Sequence, residues 1–227
     1  MPRISYQPLA AEFIGTFALI FVGVGSIAVN QMTHEAGVVG VALAHGLTIA
    51  VMVSALGAVS GGHFNPAVTA GVLLTRRIPA ITAVLYWVAQ FLGGIAGALV
   101  DKVVFPAPVL SAISLGTPMP GNGIGPFGAV VMEFVLTFFL MLVIFGTAID
   151  VRAPRWGGLF IGLTITLDIL AGGPLTGAAM NPARALGPAV VSGQLGSLWI
   201  YFAGPLLGAL AAAFYYRSGV QERAREG

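Results

Sequence analysis

The chain carries Gly61-Gly62-His63-Phe64-Asn65-Pro66-Ala67 in its first half and Gly177-Ala178-Ala179-Met180-Asn181-Pro182-Ala183-Arg184 in its second. The two Asn-Pro-Ala triplets stand 116 positions apart, each between long apolar runs. Asn is among the strongest helix N-caps, and Pro is favoured at the first helical position, where its missing N–H costs nothing. Each triplet therefore reads as the start of a helix, placed where a membrane chain would otherwise form a loop. One copy could be a simple helix break. Two copies, one per half, are the mark of discontinuous helices that reach the bilayer midplane.

Of 227 residues, 57% are hydrophobic and 8% charged, and the mean hydropathy is +0.95. A soluble domain carries about 25% charge, so this is an integral membrane protein. Cys is absent, which removes disulfides and cysteine-based metal sites. Three scattered His residues make no metal site, and a net charge of +2 gives no basis for a nucleic-acid partner. No catalytic constellation or cofactor motif stands out, so an enzyme is not expected.

A span needs about 20 mostly apolar residues. Six are expected, at 9–29, 37–58, 81–103, 127–149, 157–173 and 196–216, with an ordered external loop over 105–126. The first run leads straight into the second and reads as a retained span rather than a cleaved signal. Arg3, Arg76, Arg77, Arg152, Arg155, Arg217, Arg223 and Arg225 fall on one side, and only Lys102 and Arg184 on the other. Positive charge stays inside, so both termini are expected in the cytoplasm. The compact tails point to a prokaryotic plasma membrane.

The halves also repeat: Ala11-Glu12-Phe13-Ile14-Gly15-Thr16-Phe17 is echoed by Met132-Glu133-Phe134-Val135-Leu136-Thr137-Phe138. Three spans per copy is an odd number, so the second copy enters from the opposite face. That gives one channel domain, 1–227, built from inverted repeats at about 8–104 and 127–217. Half-helices from Asn65 to Val72 and from Asn181 toward Val190 would meet tip to tip. Each tip carries roughly half a positive charge, and each Asn oxygen would cap while its NH2 donors stay free for a pore. Non-helical backbone at Gly61-Gly62-His63-Phe64 and Gly177-Ala178-Ala179-Met180 survives at membrane depth only where it lines water or is buried in protein. Carbonyl ladders leading to two amides under positive dipole ends describe a wet pore that repels cations.

On His63-Phe64-Asn65-Pro66-Ala67-Val68-Thr69 and Met180-Asn181-Pro182-Ala183-Arg184, the sequence resembles the aquaporin (major intrinsic protein) family over its whole length. The resemblance implies an all-α membrane fold of six tilted transmembrane helices plus two re-entrant half-helices, assembled as a homotetramer with a pore in each subunit. It implies passive flow of water and small neutral solutes through the lipid bilayer. The family's outer constriction maps onto His45, Ile169, Ala178 and Arg184, a set similar to that of plant tonoplast intrinsic members. Ile169 and Ala178 widen such a site, which suits ammonia, with urea as a further candidate. The glycerol-conducting branch has Asp after the second-motif Arg and a basic residue four further on, where this chain has Ala185 and Ala189. It also favours Pro-Leu in the last span, where Tyr201-Phe202 stands here. A glycerol- or urea-preferring facilitator remains the alternative within the class, and a coupled secondary transporter the alternative outside it.

An Arg at membrane depth costs at least about 2.5–3.5 kcal/mol on insertion scales, so Arg184 is expected to work in the pore. Glu12 and Glu133 are expected to accept hydrogen bonds from the loops beside the half-helices rather than to relay protons. His63 is expected to hold its loop, Phe64 to serve as wall, and the Gly93-Gly94 and Gly204 to Gly208 clusters to pack helices closely. Asp168, in an apolar span just before Ile169 where the tonoplast pattern has Asn, has no evident role. Asp168→Asn should fold and conduct; loss of assembly, read by size-exclusion chromatography, would show instead that the charge is structural.

Overall fold

A computed structural model describes residues 5–153 and 156–220. Arg3, Arg155, Arg223 and Arg225, four of the residues used above to orient the chain, lie outside them. In order, the helices are α1 (Tyr6–Thr33), α2 (Gly37–Ser60), α3 (Pro66–Leu74), α4 (Ala80–Val104), α5 (Ala107–Ala112), α6 (Pro126–Ile144), α7 (Gly157–Thr176), α8 (Pro182–Ser192) and α9 (Ile200–Tyr215). No strand occurs among the described residues.

Five helices are long and apolar enough to cross a membrane: α1, α2, α4, α7, and α6 with the π turn Phe145–Ile149 that continues it. The sixth, α9, is 16 residues and also runs into a π turn, Tyr216–Val220. It starts at Ile200 rather than at the expected 196. Gly193 and Gly196 are poor helix formers, and turn bonds such as Ile200 N to Ser197 O occupy that stretch instead. The external loop is also more structured than expected, because α5 forms inside it. Rings Phe145 and Tyr216, where the two π turns begin, stack with centroids 4.6 Å apart.

The two halves pack alike. α1 lies on α4 and α2, and α6 lies on α9 and α7, while α2 and α7 join the halves. The half-helix α3 packs on α9 and α4, and α8 on α4. Small residues allow the approach: Gly93 sits against the backbone of Phe13, and Gly208 against the backbone of Phe134. Where α2 crosses α7, a Cβ on Gly162 would strike the Gly46 carbonyl. Apolar side chains on the outer faces, such as Val88 and Leu92 of α4 and Leu163 and Leu167 of α7, are exposed, as a lipid-facing surface requires.

The α2–α7 crossing makes a test. Gly162→Leu should cost about 1–3 kcal/mol or more through overpacking, lowering the unfolding midpoint in detergent. An unchanged midpoint would contradict this close contact.

Candidate functional site

α3 and α8 begin as their sequences dictate. Asn65 Oδ1 accepts from Ala67 N (2.8 Å) and Val68 N (3.5 Å), and Asn181 Oδ1 accepts from Ala183 N (2.9 Å) and Arg184 N (3.2 Å). Pro66 and Pro182 occupy the first helical position of each. The side-chain amides then cross: Asn65 Nδ2 donates to Met180 O and Asn181 Nδ2 to Phe64 O, both at 2.9 Å. The expectation of wholly free NH2 donors therefore needs correction. One N–H of each amide ties the opposite loop down, and the second is left over.

The loops before the caps follow one backbone path. Gly61, Gly62 and Phe64 have φ of 92°, 65° and 50°; Gly177, Ala178 and Met180 have 81°, 42° and 51°. Non-Gly residues rarely hold positive φ without outside support. The support is a buried carboxylate in each half. Glu12 accepts from Ser60 Oγ (2.7 Å), His63 N (2.9 Å), Phe64 N (2.6 Å) and Gln90 Nε2 (2.7 Å). Glu133 accepts from Thr176 Oγ1 (2.8 Å), Ala179 N (2.9 Å) and Met180 N (2.7 Å). Both carboxylates are fully buried. Bonds to charged groups are worth about 1.5–3 kcal/mol each, enough to fix a strained loop. Tyr86 Oη donates to Ser60 O (2.8 Å) and Tyr201 Oη to Thr176 O (2.7 Å), closing the top of each loop.

Arg184 is 4% exposed. Its Nη1 donates to Gly116 O at 2.8 Å, and its Nη2 lies 3.5 Å from His45 Nε2. His45 Nδ1 is 2.8 Å from Val41 O. A carbonyl only accepts, so Nδ1 carries the proton, and in the neutral ring Nε2 turns its lone pair toward Arg184. The ring fits because α1 has Gly23 there, where a Cβ would come within 2.5 Å of Nε2.

One cavity of about 700 Å3 touches Asn65, Asn181, His45, Ile169, Ala178 and Arg184. It also touches Gly61, Gly62, His63, Phe64, Ala179 and Met180, and at the other end Arg77, Thr147 and Gly157. Gly177 is not on its wall: it is the left-handed C-cap of α7, against Pro118. Pro66, Ala67, Pro182 and Ala183 do not line it either; they form the buried first turns behind the caps. The Phe64 ring lies over Gly15, fully buried, and its carbonyl accepts from Asn181, so the expected wall role belongs to the Phe64 backbone rather than to its ring. His63 bonds Thr69 Oγ1 (3.0 Å) and meets Tyr86 edge-on. Sequence reasoning missed Gly116, Gln90, Ser60 and Thr176, because partners far apart in the chain leave no local signal. It also missed Asp101. Both oxygens of Asp101, Oδ2 of Asp168 and Oε1 of Gln90 are buried without a partner among the described residues, and nothing in the structure accounts for them.

Comparison with known proteins agrees with this architecture. The family model described as Major intrinsic protein matches residues 3–216. Nodulin-26 of Glycine max is 44% identical over 216 residues, covering 92% of this chain and 76% of its own. Probable aquaporin TIP2-2 of Oryza sativa subsp. japonica is 41% identical over 223 residues, covering 94% and 87%. The solved aquaglyceroporin from Plasmodium falciparum superposes with a TM-score of 0.86 at 25% identity, covering 98% of this chain and all of that one. These two sequence relatives are plant proteins, which lends no support to the expected prokaryotic membrane. By sequence match and by fold, the chain belongs to the major intrinsic protein family, the aquaporin channels for water and small solutes.

Proposed function

We propose that the chain conducts water in single file, passes ammonia and also urea, and excludes protons and ions. The observation that carries this reading is the single cavity shared by both Asn caps and Arg184. Along it, the carbonyls of Gly61, Gly62, His63, Ala178 and Ala179 accept no hydrogen bond from the described residues. They are open to water. At the midplane, the second N–H of Asn65 and of Asn181 can turn a passing water oxygen toward both caps. That breaks the aligned wire a proton would need. Two half-helix tips, each with about half a positive charge, add to the barrier, and Arg184 adds a full one.

His45, Ile169, Ala178 and Arg184 form the selectivity filter in this reading. His45 Nε2 and the free donors of Arg184 are its polar side, and Ile169 and Ala178 its apolar side. Val68 holds the place in the first motif that Arg184 holds in the second, and it lines the cavity with no charge. Selection is thus one-sided. Arg76 and Arg77 follow α3, Arg152 follows α6 and Arg217 follows α9; this run of positive charge supports a cytoplasmic location for those ends and for both termini. The two halves, 8–104 and 127–217, act as inverted repeats, and four copies assemble around a common axis. No residue has a catalytic role. Ala185, Ala189 and Tyr201-Phe202 weigh against glycerol as the preferred solute, and Tyr201 is already committed to Thr176 O.

Stopped-flow light scattering on proteoliposomes checks the solute range. Water, ammonia and urea should each cross faster than in bare liposomes, linearly with gradient and with a low temperature coefficient. Swelling with no accelerated ammonia or urea uptake would remove those solutes, and saturable, ion-dependent flux would indicate a coupled transporter. Arg184→Val should raise glycerol and proton permeability at least about tenfold, equivalent to ~1.4 kcal/mol off the barrier. Unchanged values would remove Arg184 from the filter.

A further inference from the structure

The external loop turns sharply at Ser114-Leu115-Gly116, where three residues in a row have φ of 47°, 52° and 63°. Two of them are not Gly, and each such residue costs about 1–3 kcal/mol unless its surroundings hold it. This turn supplies Gly116 O, to which Arg184 Nη1 donates. Its position therefore decides where the guanidinium sits.

Several contacts hold it. Leu115 is buried, and Gly116 lies against Val24 and Ile27 of α1. Gly116 N bonds Ile113 O, and Thr117 N bonds Ser114 O. On its other side the turn faces α8, with α5 and α4 beside it. A second cavity, about 330 Å3, is lined there by Lys102, Ser111, Ser114, Leu115 and Ser192. Besides the Arg184 bond, α8 is tied to this segment by Thr117 Oγ1 and Ser192 Oγ, 3.0 Å apart. Ser192 is the last residue of α8, the helix whose first turn carries Arg184.

We propose that Thr117 and Ser192 are positioning residues for the filter. Their hydroxyl pair clasps the external turn to the outer end of α8, so that Gly116 O and Arg184 are held in register by the same helix. Without the clasp, the turn can relax toward the cavity behind it, carrying Gly116 O outward and letting Arg184 follow. The constriction then opens to larger neutral solutes, while the midplane caps, which share no bond with the clasp, are unaffected.

This inference rests on the reading of Arg184 as a filter residue, and the experiment separates the two. Glycerol and water permeabilities are measured on proteoliposomes of the unaltered chain, Ser192→Ala, Thr117→Val, the double variant, the conservative Ser192→Thr and Thr117→Ser, and Arg184→Val. The glycerol-to-water ratio should rise about threefold or more in Ser192→Ala and in Thr117→Val. It should rise no further in the double variant, since both remove one interaction. The conservative variants, which keep a hydroxyl, should restore the ratio. If Arg184→Val raises the ratio and neither clasp variant does, the clasp proposal is overturned and the filter reading stands. If Arg184→Val leaves it unchanged, both fall. A uniform loss of water and glycerol flux at constant ratio would mark the pair as structural only and overturn the proposal. Should one single variant fail to fold, the other carries the same test.

Discussion

The structure depends on a reciprocal pair of hydrogen bonds between the tips of α3 and α8. Asn65 reaches across to Met180 O, and Asn181 reaches back to Phe64 O. Each Asn thus starts its own helix with its oxygen and fastens the other half with its nitrogen. Two helix N-termini repel each other electrostatically, so they do not abut unaided. The crossed amides hold them together, and each accepting carbonyl belongs to a residue at positive φ. That conformation persists only because Glu12 and Glu133 accept from the loop N–H groups. Buried carboxylates, strained loops and crossed amides form one unit, and the cavity runs beside it.

The two halves of the cavity nevertheless differ. The backbone paths of the two loops match residue for residue, even where Ala178 replaces Gly62. What differs is what stands beyond the caps. In the first half the place after the triplet is Val68, which lines the cavity with an apolar side chain. In the second half it is Arg184, stretched between Gly116 O and His45 Nε2. Two loops of matching backbone thus border a cavity with an arginine beyond only one of the two triplets, and the loop between α5 and α6 supplies its carbonyl partner.

Much of this was legible in the chain because its causes are local. Asn followed by Pro fixes a helix start, and apolar runs of span length fix the crossings. The matching Glu12 and Glu133 segments betray a repeat. His45, Ile169, Ala178 and Arg184 were found by resemblance, and they do lie on one cavity. The sequence could not reveal partners brought together from afar. Gly116 is one glycine among 32, and only the folded loop brings its carbonyl to Arg184. Phe64 beside the motif invited a place in the wall, yet Gly15 leaves a space that the ring fills. Gly177 read as pore backbone, but its left-handed conformation makes it the end of α7. The start of the last span was misplaced because mean hydropathy does not sense the turn bonds between Gly193 and Ile200.

If two crossed half-helix tips border a wet conduit, a crystal structure at a resolution that orders water should show a single file of waters along the cavity. One of them should lie within hydrogen-bond distance of both Asn65 Nδ2 and Asn181 Nδ2, with neighbours on the carbonyls of Gly62 and Ala179. A dry midplane, or amides of Asn65 and Asn181 facing away from each other and from any continuous channel, would contradict it.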